Sequence, residues 1–376
     1  MTSIPPRRPA APFPASSSLS PSSSPPTSPS TSPARPSATV RSAASPRPDV
    51  VVREARDLLA VVPVMLGFWP HDCVVMTTVG AGRPFQARLD LVDALDPTGR
   101  LPRSYTEPLA DRLLAPALRY GTTAVALVYY GEDPAVVGAT HRHLVADLAA
   151  AGIEVSAVVA VRGGRYRHLD ASGRGVGPDG PADVRDHPLV LQAVLDGRLN
   201  HESREQLVAS IQPDPDAVAG IEAALCAAGL DCDQLPRLRL EMIVEGTWVE
   251  RCVARCLADG EPPTEQEVAR LLWAIQVPRL RDAAWASIAR GTARRHVALW
   301  RDVVRAAPER LVAPAATLLG WAAWQAGDGA LAWIAHDRAI AADPDHRLAD
   351  LLGRLLAGAL APEEWTGGFD WAAGLR

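Results

Sequence analysis

The sequence predicts two folded parts: an α/β domain over residues 50–186, with elements in the order ββαβαββ and a mixed sheet, followed by an all-α domain over residues 187–365. Three observations predict this. Short runs rich in β-branched residues alternate with helical patterns in the first part, and after about residue 187 only helical spacing is found. The third is length, since 376 residues exceed one ordinary domain. Two tails complete the division, a disordered Pro/Ser-rich segment at 1–49 and a short C-terminal one at 366–376. Residues 1–48 hold 14 serines and 13 prolines with almost no aliphatic side chains, too little apolar surface to offset the entropy of ordering. The prolines also break every candidate for the apolar stretch of a secretory signal, so none is expected.

In chain order, Leu58, Leu59, Val62, Met65 and Leu66 recur at helical spacing, and the helix should stop near Gly67 before Pro70. Residues 73–79 and 85–92 read as strands of a hairpin joined by Gly80-Ala81-Gly82-Arg83. Residues 105–119 look helical, and 122–130 form a continuous apolar strand of the kind covered on both faces. The next helix, 134–151, is well punctuated, with Asp133 as cap, Pro134 at its first position and Gly152 past its end. A strand over 153–161 turns back through Gly163-Gly164 into 165–169, because paired glycines supply the positive φ of a tight turn. Residues 170–186 read as a Gly/Asp/Pro loop. Beyond it, Asp214-Pro215 and Asp343-Pro344 mark helix starts, and Gly229 and Gly327 mark helix ends.

Composition narrows the function. All 38 basic residues are arginine, which excludes chemistry built on a lysine, such as Schiff bases or a phosphate-loop lysine. Residues 1–48 carry five arginines and no acid, so the net charge of -5 leaves -10 on the rest, which points away from nucleic acid as a partner. No apolar run reaches the roughly 18–20 residues of a membrane span, and a cytoplasmic location is expected.

The five cysteines, Cys73, Cys226, Cys232, Cys252 and Cys256, lack zinc-site spacing. Cys252 and Cys256 fall on a stripe with Val249, Val253 and Leu257, the register of a core face. His141 and His143, two apart on a helix, point about 200° from each other and cannot share an ion. Gly173-Arg174-Gly175-Val176-Gly177 precedes Pro178 and no helix, so it is not a phosphate cradle. No metal and no cofactor are called for. Alternation places Gln86, Arg88 and Asp90 on one strand face, opposite Phe85, Ala87, Leu89 and Leu91. Arg88 and Asp90 are therefore either a structural ion pair at a sheet edge or a ligand-binding pair, with His71 and Asp72 close by.

Eight of ten tryptophans lie between Trp273 and Trp371, filling gaps between helices or forming an aromatic binding surface. With Gly320 at position eight of a tetratricopeptide repeat, Leu319, Ala332, Ala339 and Pro344 fall where that repeat prefers these types, whereas Ala316, Ala323 and His336 depart from it. One such helical hairpin is expected and no array. Trp321, Trp324, Gln325 and Asp328 are its candidate partner-binding residues.

The opening Leu58-Leu59-Ala60-x-Val62-Pro63-x-x-Leu66-Gly67-Phe68-x-Pro70, Arg88-x-Asp90, and the late Trp324-Gln325-Ala326-Gly327-Asp328-Gly329-Ala330-Leu331-Ala332 with Asp343-Pro344 resemble an actinobacterial family known only as a domain of unknown function. The likeness covers roughly residues 50–365. It implies a bacterial, cytoplasmic protein of no assigned activity. The resemblance implies that members often carry a cysteine-rich stretch after the second hairpin; residues 166–186 here hold none, which puts any metal role of relatives in doubt for this chain. Two readings remain: an interaction or scaffold protein whose helical half docks a protein partner, which is preferred, and a small-molecule-binding or enzymatic α/β domain using Arg88 and Asp90. Whether the chain is an enzyme stays undecided at this point.

Overall fold

The first helix, α1 (Ala55–Leu66), begins where the Asp57 carboxylate accepts the Glu54 N–H. It ends at Gly67, whose φ of 78° lets its N–H return to the Pro63 carbonyl at 2.9 Å, an αL cap that a side chain would strain. The structure is a computed structural model that describes residues 54–79, 86–365 and 368–375. The expected tail at 1–49, the hairpin turn at Gly80-Ala81-Gly82-Arg83 and Phe85 lie outside the described residues.

A six-stranded sheet follows, built from β1 (Cys73–Val79) and β2 (Gln86–Asp90), then β3 (Ala124–Tyr130), β4 (Glu154–Arg162), β5 (Arg165–Leu169) and β6 (Gly175–Pro181), in spatial order β2-β1-β3-β4-β5-β6. Only β3 and β4 pair in parallel, and the pair is joined by α2 (Pro134–Ala150), capped by the Asp133 carboxylate on the Ala135 N–H. Residues 170–186 depart from the expected loop, because they contain β6. Its glycines and prolines hide a strand from propensity, and as the last strand of the sheet it tolerates prolines that lack an N–H. The helical stretch between β2 and β3 is likewise not uniform. It runs through Arg103–Leu109, one π-helical turn at Ala110–Leu114 and a short helix at Ala115–Arg119.

Apolar residues of β3 alternate between two cores. Val125, Leu127 and Tyr129 join the cluster that includes Leu144 and Leu148 of α2, while Ala126 and Val128 join the cluster under α1. In the first, Tyr129 Oη lies 3.3 Å from His141 Nδ1, and His141 Nε2 lies 3.0 Å from the Asp170 carbonyl. That carbonyl can only accept, so His141 carries its hydrogen on Nε2 and braces α2 to the turn before β6.

The C-terminal half is helix-rich, with no strand among its described residues. It comprises α3 (Pro188–Leu195), α4 (Arg204–Ala209), α5 (Pro215–Ala227), α6 (Arg239–Asp259) and α7 (Glu265–Ala274), then α8 (Pro278–Trp285), α9 (Ala293–Ala306), α10 (Val312–Ala326), α11 (Gly329–Ala342) and α12 (Arg347–Ala357). Val249, Cys252, Val253 and Cys256 bury one face of α6, and burial pushes the Cys252 thiol up to about 12. Cys226 on α5 is exposed. At Asp343-Pro344 the structure again differs from expectation. Asp343 ends α11, and α12 begins only at Arg347 with His346 as its cap. The described part of the C-terminal tail expected at 366–376 is packed. Trp371, Ala372 and Leu375 are buried, and the Trp371 ring lies where a Cβ on Gly246 would stand, 2.3 Å away.

The cluster under α1 continues from the sheet into these helices. His187 joins the regions by capping α3, its Nδ1 accepting the Leu189 N–H at 3.3 Å while Nε2 reaches Asp57 of α1 at 3.2 Å.

Candidate functional site

The loop after α1 carries Phe68 of the opening motif, and Trp69 beside it, to the sheet edge. Phe68 is buried and bridges to His201, and Trp69 lies under the Arg185 guanidinium, 4.7 Å from ring to carbon, while Arg185 pairs with Glu202 at 2.8 Å. His71 and Asp72 follow, both exposed, and Asp72 takes a φ of 43°.

The β1–β2 register sets Cys73 opposite Asp90, Val75 opposite Arg88 and Thr77 opposite Gln86, so all six share the face toward α1. Arg88 is held on several sides. Its Nη2 meets Asp90 Oδ1 at 2.5 Å and lies 3.5 Å from the His71 carbonyl, and its guanidinium carbon sits 5.6 Å from the centre of the Phe68 ring. The pair is unequal in burial, with the Arg88 side chain 15% exposed and that of Asp90 66% exposed. Burial works against the Arg88 charge and the Asp90 carboxylate beside it works for it, so Arg88 stays charged. The same burial pushes the Cys73 thiol up to about 11 despite the pull of Arg88, so this thiol stays protonated and is no nucleophile at neutral pH.

The structure thus brings Arg88, Asp90 and the His71 carbonyl together. It leaves the Asp72 and His71 side chains facing solvent. On the same face, Thr77 Oγ1, both amide atoms of Gln86 and Arg88 Nε are buried with no hydrogen-bond partner among the described residues.

The candidate partner-binding residues of the helical half are placed otherwise than expected. Trp321, Trp324 and Gln325 are buried. Trp321 is the centre of an aromatic nucleus, 4.8 Å from Trp285, 5.2 Å from Trp324 and 5.0 Å from Trp365 between ring centres. The Trp324 indole donates to the Leu360 carbonyl at 2.9 Å, and Asp328 caps α11 by accepting the Leu331 N–H at 2.9 Å. Trp321, Trp324 and Gln325 therefore lie inside, since α10 is buried on all sides along most of its length, and Asp328 is half-buried as a cap.

A groove lies instead between α11 and α12. It has a volume of about 520 Å³ and is walled by Trp333, His336, Ile340, Pro344, Asp350 and Arg354 among others. Trp333 stands 38% exposed, edge-on to His336. Gly353 makes room for that histidine, since a Cβ there would lie 2.5 Å from His336 Nε2. The spacing of Trp333, His336 and Ile340 along one helix face was the signal available in the sequence. A second groove of about 430 Å³ borders Cys226 and Gly229. Neither is lined by Arg88, Asp90, His71 or Asp72. Among the described residues, no group of three or more His, Cys, Asp and Glu is arranged to hold a metal ion, and no helix is long and apolar enough to cross a membrane.

The model of a family described as Domain of unknown function (DUF4192) matches residues 56–363. The chain belongs to the DUF4192 family. Both the Arg88 edge and the α11–α12 groove fall within the DUF4192 match. Comparison with curated proteins and with solved structures found no match.

Proposed function

We propose that this DUF4192 chain is an interaction module whose helical half docks a segment of a protein partner in the groove between α11 and α12. One observation carries the reading: an exposed tryptophan, Trp333, stands in a shallow, open groove with apolar Ile340 and Pro344 and a charged rim of Asp350 and Arg354. Exposed aromatic anchors in such a setting are what partner binding uses. The groove backs onto a tetratricopeptide-like hairpin of α10 and α11. Supporting that likeness, a Cβ on Gly320 would lie 2.7 Å from Leu352 Cδ2 and 3.2 Å from the Ala332 carbonyl, so small residues at these positions allow close approach.

The test is photo-cross-linking in the native cells, with a benzophenone side chain replacing Trp333 in one variant and Leu118, exposed in the α/β region, in another. A discrete protein adduct at position 333 only is expected. No adduct, or the same adduct from both positions, would overturn the reading.

A second reading, a small-molecule-binding or enzymatic use of Arg88 and Asp90, is favoured by the unpartnered atoms of Thr77, Gln86 and Arg88 on one face, since buried polar groups ordinarily find partners. A saturable rise in melting temperature with a small metabolite, lost in a folded Arg88→Leu variant, would put this reading first.

A further inference from the structure

The wall of the proposed docking groove is capped by a histidine. Pro344, Asp345, Arg347 and Asp350 of that wall all lie within four residues of His346, which is itself buried. His346 Nδ1 accepts the Ala349 N–H at 3.3 Å and so caps α12; it also lies 3.2 Å from Thr317 Oγ1 on α10. The Thr317 hydroxyl has a closer acceptor in the Ala313 carbonyl at 2.8 Å. An amide hydrogen aimed at Nδ1 requires a lone pair there, so the ring is neutral with its hydrogen on Nε2. A proton on Nδ1 would remove the acceptor, set one N–H against another and place positive charge at the positive end of the α12 dipole. The charged groups facing the ring come from two directions. Arg281 of α8, itself paired with Asp282 at 2.8 Å, disfavours the imidazolium, whereas Asp343 at the end of α11 favours it. Burial is the largest effect and acts with Arg281 against Asp343, so the ring is harder to protonate than a free imidazole.

We infer that His346 is a pH-operated latch on the α11–α12 groove: neutral, it caps the first turn of α12, and protonated, it loses that cap and frees the turn that forms part of the groove wall. The inference rests on the docking reading only for its consequence, regulation of partner binding. The latch itself is measurable without a partner.

The experiment is hydrogen exchange of the full chain, read by mass spectrometry at about pH 7.5 and about pH 5.5 and corrected for intrinsic exchange. Loss of a cap together with a charge at the helix start is expected to lower protection of the first turn of α12 by up to about tenfold at the lower pH, the limit for one imidazole of ordinary pKa in the opened turn, with α10 unchanged. In His346→Asn, where asparagine caps without titrating, protection should be the same at both values. Unchanged protection in the native chain, an equal loss in His346→Asn, or a uniform loss through α10 and α12 would each overturn the latch. The cross-link at position 333 decides the docking reading separately.

Discussion

At the scale of single residues, Arg88 and Asp90 show why an ion pair is not symmetric. Asp90 is mostly in water, so removing Arg88 strands no buried charge, whereas removing Asp90 takes the carboxylate from a largely buried guanidinium. Arg88→Leu, which keeps contact with Phe68, is expected to change stability by less than about 1 kcal/mol, and Asp90→Ala to cost about 1–3 kcal/mol in urea denaturation. The reverse order would mean that the arginine, and not the pair, carries the stability of this edge. Strand alternation made this pairing legible, because residues two apart share a face whatever surrounds them; the inequality was not, because it depends on what covers each end. His296 on α9 supplies a pH dependence. Burial lowers its pKa from 6.5 to about 4, and its Nε2 lies 3.0 Å from the Ser287 carbonyl. The unfolded chain binds the proton first as pH falls, so this contribution is complete above about pH 6.5 and is lost progressively toward pH 4, by on the order of 3 kcal/mol. Denaturation midpoints at about pH 7.5 and about pH 5 should therefore differ less in His296→Gln than in the native chain.

Among elements, the accuracy of the sequence reading follows the range of the interaction that makes each one. The caps at Asp133 and Asp214 and the turn at Gly163 and Gly164, with φ of 53° and 72°, were readable because they act within a few residues. The strand β6 was not, since Gly175 to Pro181 has no strand propensity and is held by pairing with β5. Nor was the start of α12, where the expected Asp343 accepts the Asp345 N–H in a turn and leaves the cap to His346. The approach of α10 to α11 and α12 yields a direct test. Gly320→Ala forces a methyl against Leu352 and the Ala332 carbonyl, and it is expected to cost about 1–3 kcal/mol. An unchanged denaturation midpoint would show that these helices can move apart freely.

Across the whole described molecule, one apolar cluster runs from the α1-facing side of the sheet through the helices to Trp371 and Leu375. A core shared in this way predicts a single cooperative unfolding transition, and two resolved transitions in calorimetry would instead make the boundary near residue 187 a thermodynamic one. Trp371→Ala should lower that transition strongly, by about 3–5 kcal/mol, because the ring fills the space left by Gly246. By itself the sequence determined the division into an α/β part and a helix-rich part, the positions of the first helix and of most strands, the core face of α6 and the family, because periodicity, caps, turn glycines and short motifs are local properties of the chain. Tertiary structure alone decided that Trp321 and Trp324 are interior and Trp333 is not, and that Tyr120 reaches the Ala359 carbonyl at 2.6 Å across 239 residues of chain. An apolar side chain at helical spacing states that a face is to be covered. Which face it is, and what covers it, is set by partners distant in sequence, and no local pattern encodes their arrival.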